Sequence, residues 1–111
     1  MSREIKFRAW STPDNIMHNN VYIYPYPNPM VVGRDDKSIG FDGIDVVVMQ
    51  YTGVKDEDGK EIYEGDIIRV NHKDGSLRAV SWSGAGFNIS GSVYARYKII
   101  GNIYEPGANR R

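Results

Sequence analysis

The sequence contains no cysteine, which excludes disulfides, thiolate metal sites and a cysteine nucleophile. It contains no apolar run approaching the ~20 residues that a membrane-spanning helix needs. Its first ten residues, MSREIKFRAW, are charged and lack the apolar core of a signal peptide. It carries no net charge, with 14 basic residues against 14 acidic ones, so no global field draws it to nucleic acid, membranes or acidic partners. Histidine is scarce: His18 and His72 are the only two, too few for zinc without carboxylate help and not in an HxxxH or HExxH arrangement. These absences point to a soluble cytoplasmic protein that makes no membrane contact.

Several catalytic signatures are missing too. There is no GxSxG nucleophile elbow and no glycine-rich phosphate loop ending in Lys-Ser/Thr. Gly84 and Gly86 lack the third glycine of a dinucleotide fingerprint. Asn88-Ile89-Ser90 matches a glycosylation sequon, which has no meaning without secretion. No cofactor is implied.

What is present is turn chemistry between short β-prone runs. With 111 residues the chain fits one domain, expected over 1–111, with a variable loop region at about 18–43 and a core at about 44–105. Ile5, Phe7 and Ala9 alternate with charged residues as in a half-buried first strand. Ser11 to Asn15 is a turn, and Ile16–Met17 begin a second strand. Val21 to Tyr24 is β-prone, but Pro25, Pro27 and Pro29 follow at alternate positions and predict an extended edge or loop. Tyr22, Tyr24 and Tyr26 run through it without PxxP spacing; a loop packed on the core is favoured over a docking strip. Gly33 to Gly43 is read as a polar connection. Ile44 to Tyr51 (IDVVVMQY) has the β-branched density of a central strand buried on both faces.

The segment Met49–Asp66 (MQYTGVKDEDGKEIYEGD) is the most distinctive. From Lys55 to Asp66 six acids stand against two bases, a net of −4; from Ile67 to Arg111 seven bases stand against two acids, a net of +5. Thr52–Gly53 is expected to end the preceding strand. Asp58–Gly59 supplies the two central residues that a type I′ hairpin turn prefers, Lys60–Tyr63 returns as a strand, and Glu64-Gly65-Asp66 turns again. Gly53, Gly59 and Gly65 are assigned to positions where the backbone needs glycine; Asp56, Asp58 and Asp66 are assigned to the turns, with Asp56 and Asp66 capping turn amides.

The acids were weighed as a calcium loop. With Gly59 as the central glycine, Val54 falls first and Gly65 twelfth, so the EF-hand pattern fails at both ends and no metal site is assigned. Ile67–Val70 pairs with Leu77–Trp82 across a turn at Lys73-Asp74-Gly75. Ser83 to Gly86 turns the chain, and Phe87–Ile89, Val93–Ile100 and Asn102–Tyr104 complete a β-rich tail. Helical periodicity is absent over three turns, leaving at most a short helix in Ser38–Ile44 or before Trp82. Short strands with closely spaced turns predict an all-β fold, a small SH3-like or bifurcated-sheet pseudo-barrel of antiparallel strands.

Arg69, Arg78, Arg96 and Lys98, with Trp82 and neighbouring aromatics, are the candidate contacts for a second reading, a small nucleic-acid-binding barrel. Alternating core and charged exterior produces the same residues in any small barrel, and the neutral total charge does not favour nucleic acid.

REIKFRAW (Arg3–Trp10), then Gln50–Gly53, Lys55–Asp56, Gly59–Ile62 and Tyr63–Ile67, then GNIYE (Gly101–Glu105) together resemble the YopX protein family of phages and prophages. The resemblance spans both ends and the middle in order. It implies a β-rich, pseudo-barrel accessory protein in the cytoplasm of a bacterial host. It brings no catalytic residue with it. The expected role is therefore non-enzymatic, through contacts with a protein partner or a second copy of the chain in a homo-oligomer. Glu105-Pro106-Gly107-Ala108 departs from the family's usual ending, and Tyr22–Pro29 falls in its variable region.

Overall fold

The computed structural model describes residues 5–24, 30–33, 37–70, 76–83, 86–89 and 96–104. Every element among them is a strand: β1 (Phe7–Ser11), β2 (Ile16–Asn19), β3 (Tyr22–Tyr24), β4 (Met30–Val32), β5 (Ser38–Phe41), β6 (Val46–Lys55), β7 (Glu61–Tyr63), β8 (Asp66–Val70), β9 (Leu77–Ala79) and β10 (Tyr97–Asn102). The fold is all-β, with antiparallel sheets that include a strongly curled half-barrel. The chain forms two compact units that divide inside β6, one over Ile5–Gln50 and one from Tyr51 onward.

In the first unit, β1 pairs with β2 and with the first half of β6, and β3-β4-β5 form a second sheet. β1 is not the half-buried strand that alternation predicts: it lies between β2 and β6, and Arg8, Ala9, Trp10 and Ser11 are all buried, with Ala9 packing on Val21, Val31 and Val46, flanked by Phe7, Ile39 and Val48. The hairpin between β1 and β2 bends at Asn15, whose φ of 55° suits a residue with a short polar side chain. Other expectations change here too. The polar connection Gly33–Gly43, within the variable loop at about 18–43, contains β5, which pairs with β4. Two apolar residues, Ile39 and Phe41, amid glycines and charges give too little pattern for a strand to be read there, and tertiary pairing makes it. Gly40 allows a close approach, since a Cβ at that position would lie 2.6 Å from Asp45 Cβ. The central strand begins at Val46, leaving Ile44 76% exposed in the preceding turn. The short helix allowed in Ser38–Ile44 or before Trp82 is absent; β5 and β9 occupy those stretches.

In the second unit, β6 continues past Thr52–Gly53 to Lys55, so those residues do not end the strand. The ladder with β7 runs from Tyr51↔Tyr63 to Lys55↔Glu61 and is irregular between. Gly53, at φ 88°, sits in this bulge. The Thr52 hydroxyl fills the gap in the ladder, donating to Ile62 O at 2.7 Å and accepting from Val54 N at 3.1 Å. The sheet β10-β8-β9 places Ile68, Val80 and Tyr97 with Ile62 in the core, covered by Val54, Val70 and Ile99 among others. Each fully buried aliphatic of this kind contributes roughly 1.5–3 kcal/mol.

The β6–β7 connection is not the two-residue type I′ turn expected of Asp58–Gly59. Gly59 N donates to Asp56 O at 3.0 Å and Asp56 N to Lys60 O at 2.7 Å, enclosing Glu57, Asp58 and Gly59. Only Gly59 has positive φ, 83°. This is a three-residue loop, a tight turn followed by a left-handed glycine. Asp58 is free to stay in ordinary backbone space because the loop is one residue longer. The turns expected at Lys73–Gly75 and Glu105–Gly107, with Tyr26, the proline run Pro25–Pro29, His72 and Val93–Ala95, lie outside the described residues.

No atom lies within 4 Å of a Cβ built on Gly59, so backbone strain alone opposes a side chain there. Gly59→Val is expected to destabilise by about 1–3 kcal/mol and Gly59→Asn by less, because asparagine tolerates the left-handed region. Urea denaturation of both variants checks the order.

Candidate functional site

The acidic loop is the best-defined polar constellation in the molecule. Asp56, 6% exposed, accepts three backbone amides: its Oδ1 takes Asp58 N and Lys60 N, both at 2.9 Å, and its Oδ2 takes Ile99 N at 3.1 Å. Glu57 N donates to Tyr97 O at 2.8 Å, and Asp58 Oδ2 pairs with Lys98 Nζ at 2.7 Å. Three consecutive loop residues thus grip three consecutive residues of β10 along the edge that faces away from β8. Carboxylate acceptance of N–H groups is charge-assisted, about twice as strong as a neutral bond. The carboxylate is needed because a loop this short leaves several amides pointing at one place.

Asp66, 2% exposed, does similar work at the next corner, where its Oδ2 accepts Tyr63 N at 2.8 Å. Gly65, at φ 84°, supplies the third position of that turn, its N donating to Val80 O and its O accepting from Ile103 N. Glu61 Oε1 accepts from the Tyr63 hydroxyl at 3.3 Å. The acids serve separate backbone amides and side chains instead of converging. Among the described residues no group of three His, Cys, Asp or Glu side chains is placed to hold a metal ion.

The candidate nucleic-acid residues do not share a face. Directly opposed residues in an antiparallel ladder point the same way, and successive residues point oppositely. Arg69 stands opposite Lys98 and Leu77, whereas Arg78 stands opposite Ile68, on the core-facing side. Arg78 Nη1 donates to Asn88 O at 2.7 Å, Lys98 holds Asp58, and Trp82 meets Phe87 edge-to-face at 4.8 Å between ring centres. Arg96 is exposed beside Tyr97. A continuous basic groove with stacking platforms is not assembled by these five.

Thr52 and Asn88 are polar residues whose roles the sequence did not announce. Thr52 carries no motif, and the sequon at Asn88 gives no hint of the bonds it makes. The first unit has an open cleft of about 690 Å³ whose walls include Asp14, His18, Asn19, Lys37 and Ser38. Asp14 Oδ2 there accepts from Ser11 Oγ at 3.2 Å. With a carboxylate and an ammonium both on its walls, the cleft selects neither sign of ligand charge. No helix among the described residues is long and apolar enough to cross a membrane.

A family model described as YopX protein matches residues 6–107. The structure is similar to the crystal structure of protein EF1440 from Enterococcus faecalis, with a TM-score of 0.69 and 28% sequence identity, covering 94% of this chain and 96% of that one. No curated protein matches the chain.

Asp56→Ala removes the acceptor of three amides and is expected to cost about 2–4 kcal/mol, with Asp56→Asn between it and the wild type because one acceptor oxygen remains. Urea midpoints at unchanged slope check this. The exposed Asp58–Lys98 pair gives a pH signature. The Lys98 hydrogen bond and charge hold the Asp58 carboxyl below its ordinary 3.8, and Asp58 raises Lys98 above 10.5. The lowered aspartate contributes above 3.8 and is lost as pH falls through its folded value; the raised lysine contributes below 10.5 and is lost as pH rises through its folded value. Asp58→Asn is therefore expected to show a small melting deficit at neutral pH that closes in stronger acid than an ordinary aspartate needs. Melting curves of both proteins against pH report it.

Proposed function

This chain belongs to the YopX protein family, and on that premise we propose that it is a non-enzymatic accessory protein, encoded by a phage or prophage, that works through protein contacts in the cytoplasm of a bacterial host. The observation that carries the reading is the outer strand β3, the edge of the β3-β4-β5 sheet. Tyr22 and Tyr24, two positions apart and so on one face, are 62% and 52% exposed. Tyrosine is enriched at protein interfaces because it offers a large rigid apolar surface with a polar tip at low entropic cost. Of the extended edge or loop expected here, Tyr22–Tyr24 form the edge strand, which holds the two rings in register as a loop would not.

The acidic constellation supports the same reading from the other side. Asp56 and Asp66 are committed to backbone amides and Asp58 to Lys98, an arrangement that suits holding the loop in place better than acid–base work.

Affinity capture from host lysate is expected to retain a discrete protein that a Tyr22→Ser/Tyr24→Ser variant of unchanged melting temperature loses. A wild-type eluate without a specific protein, together with a monomeric mass by light scattering, would count against the proposal. Salt-sensitive binding of single-stranded DNA or RNA at low ionic strength would favour the nucleic-acid reading instead.

A further inference from the structure

One side chain bonds the outward-facing backbone at the end of β9 and just past it. Val80 N donates to Asp66 O at 2.8 Å, Gly65 N donates to Val80 O, and Val70 N donates to Ser76 O. Residues 76 and 80 therefore face β8, and the backbone groups of the alternate residues, Ala79 and Ser81, point away from the sheet. Asn88 meets those groups. Its Nδ2 donates to Ala79 O at 2.9 Å and its Oδ1 accepts from Ser81 N at 3.0 Å. Its own backbone N donates to Ser81 O at 3.2 Å, and its backbone O accepts from Arg78 Nη1 at 2.7 Å.

A carboxamide has the donor and acceptor of a peptide group, and here it makes the two bonds that one residue of a neighbouring strand would make. The residues it covers, Ala79 and Ser81, are exposed, as are Leu77 and Trp82 to either side. An uncovered edge of this kind is a template for another strand. We infer that Asn88 is an edge guard, a side chain that occupies the strand-pairing groups of β9 and so keeps this edge from adding the β9 of a second copy. Arg78 locks the guard in place from the strand it protects. On the opposite edge of the same sheet, Glu57 N and the Asp56 carboxylate bond Tyr97 O and Ile99 N in the same donor–acceptor arrangement. Among the described residues, both edges of the sheet thus meet groups that lie outside its three strands.

Native-state hydrogen exchange and light scattering of Asn88→Ala test the inference. The Ser81 amide is expected to exchange about fivefold faster or more, while the inward Val80 amide keeps its protection. The mass should then rise with concentration above that of the wild type, and adding Ser81→Pro, which removes the outward N–H, should restore it. If Asn88→Ala loses Val80 protection and so reports general unfolding, Arg78→Ala decides, since it frees the guard and leaves the carboxamide intact. Unchanged Ser81 exchange in the folded variant overturns the inference. So does faster exchange without added mass, or added mass that Ser81→Pro leaves in place.

Discussion

The second unit depends on one carboxylate. Asp56 gathers Asp58 N, Lys60 N and Ile99 N, and in doing so it shapes the loop and attaches it to β10 in the same step. A neutral side chain would leave three donors competing for weaker acceptors or for water. The rest of the acidic segment makes sense around that constraint. Gly59 takes the left-handed corner that closes the loop, Glu57 lends its amide to Tyr97, and Asp58 and Lys98 neutralise each other at the rim. What looks like a charge cluster is a set of backbone attachments with a counter-ion.

The same physical problem recurs throughout this unit, because its strands are short. β7 and β9 have three residues each, and strands so short are marginal without something to complete them. Side chains do that here. The Thr52 hydroxyl spans the irregular stretch between β6 and β7, Asp66 holds the β7–β8 corner, and Asn88 sits beside β9. Each replaces a missing ladder bond with a side-chain one, so polar residues act as pieces of the sheet.

Much of this was legible beforehand, and the failures share a cause. Period-two alternation located β1, the hairpin of β8 and β9, and the return strand β7, and turn residues located the corners at Asp56–Gly59 and Glu64–Asp66. The loop type was misread because Asp58–Gly59 is the usual type I′ pair; nothing local reveals that Asp56 will pull the chain into a three-residue loop by bonding an amide on a distant strand. Gly53 reads as a strand end for the same reason: glycine marks irregularity, and only the Thr52 hydroxyl makes that irregularity a bulge. β5 was missed because Ser38, Gly40 and Phe41 have no β pattern apart from β4. The basic residues group together in the sequence because it shows charge and not facing; the register puts Arg69 and Arg78 on opposite sides of one sheet.

The Asp56–Ile99 bond joins residues 43 positions apart, and this separation orders events in time. Closing so long a segment costs conformational entropy that local turns do not, and contacts of this kind slow folding. On a ribosome the loop is made well before β10 exists, so its carboxylate must wait in water with the Ile99 bond unmade. The second unit can lock only once β10 has emerged, which makes that strand the latch of the whole half.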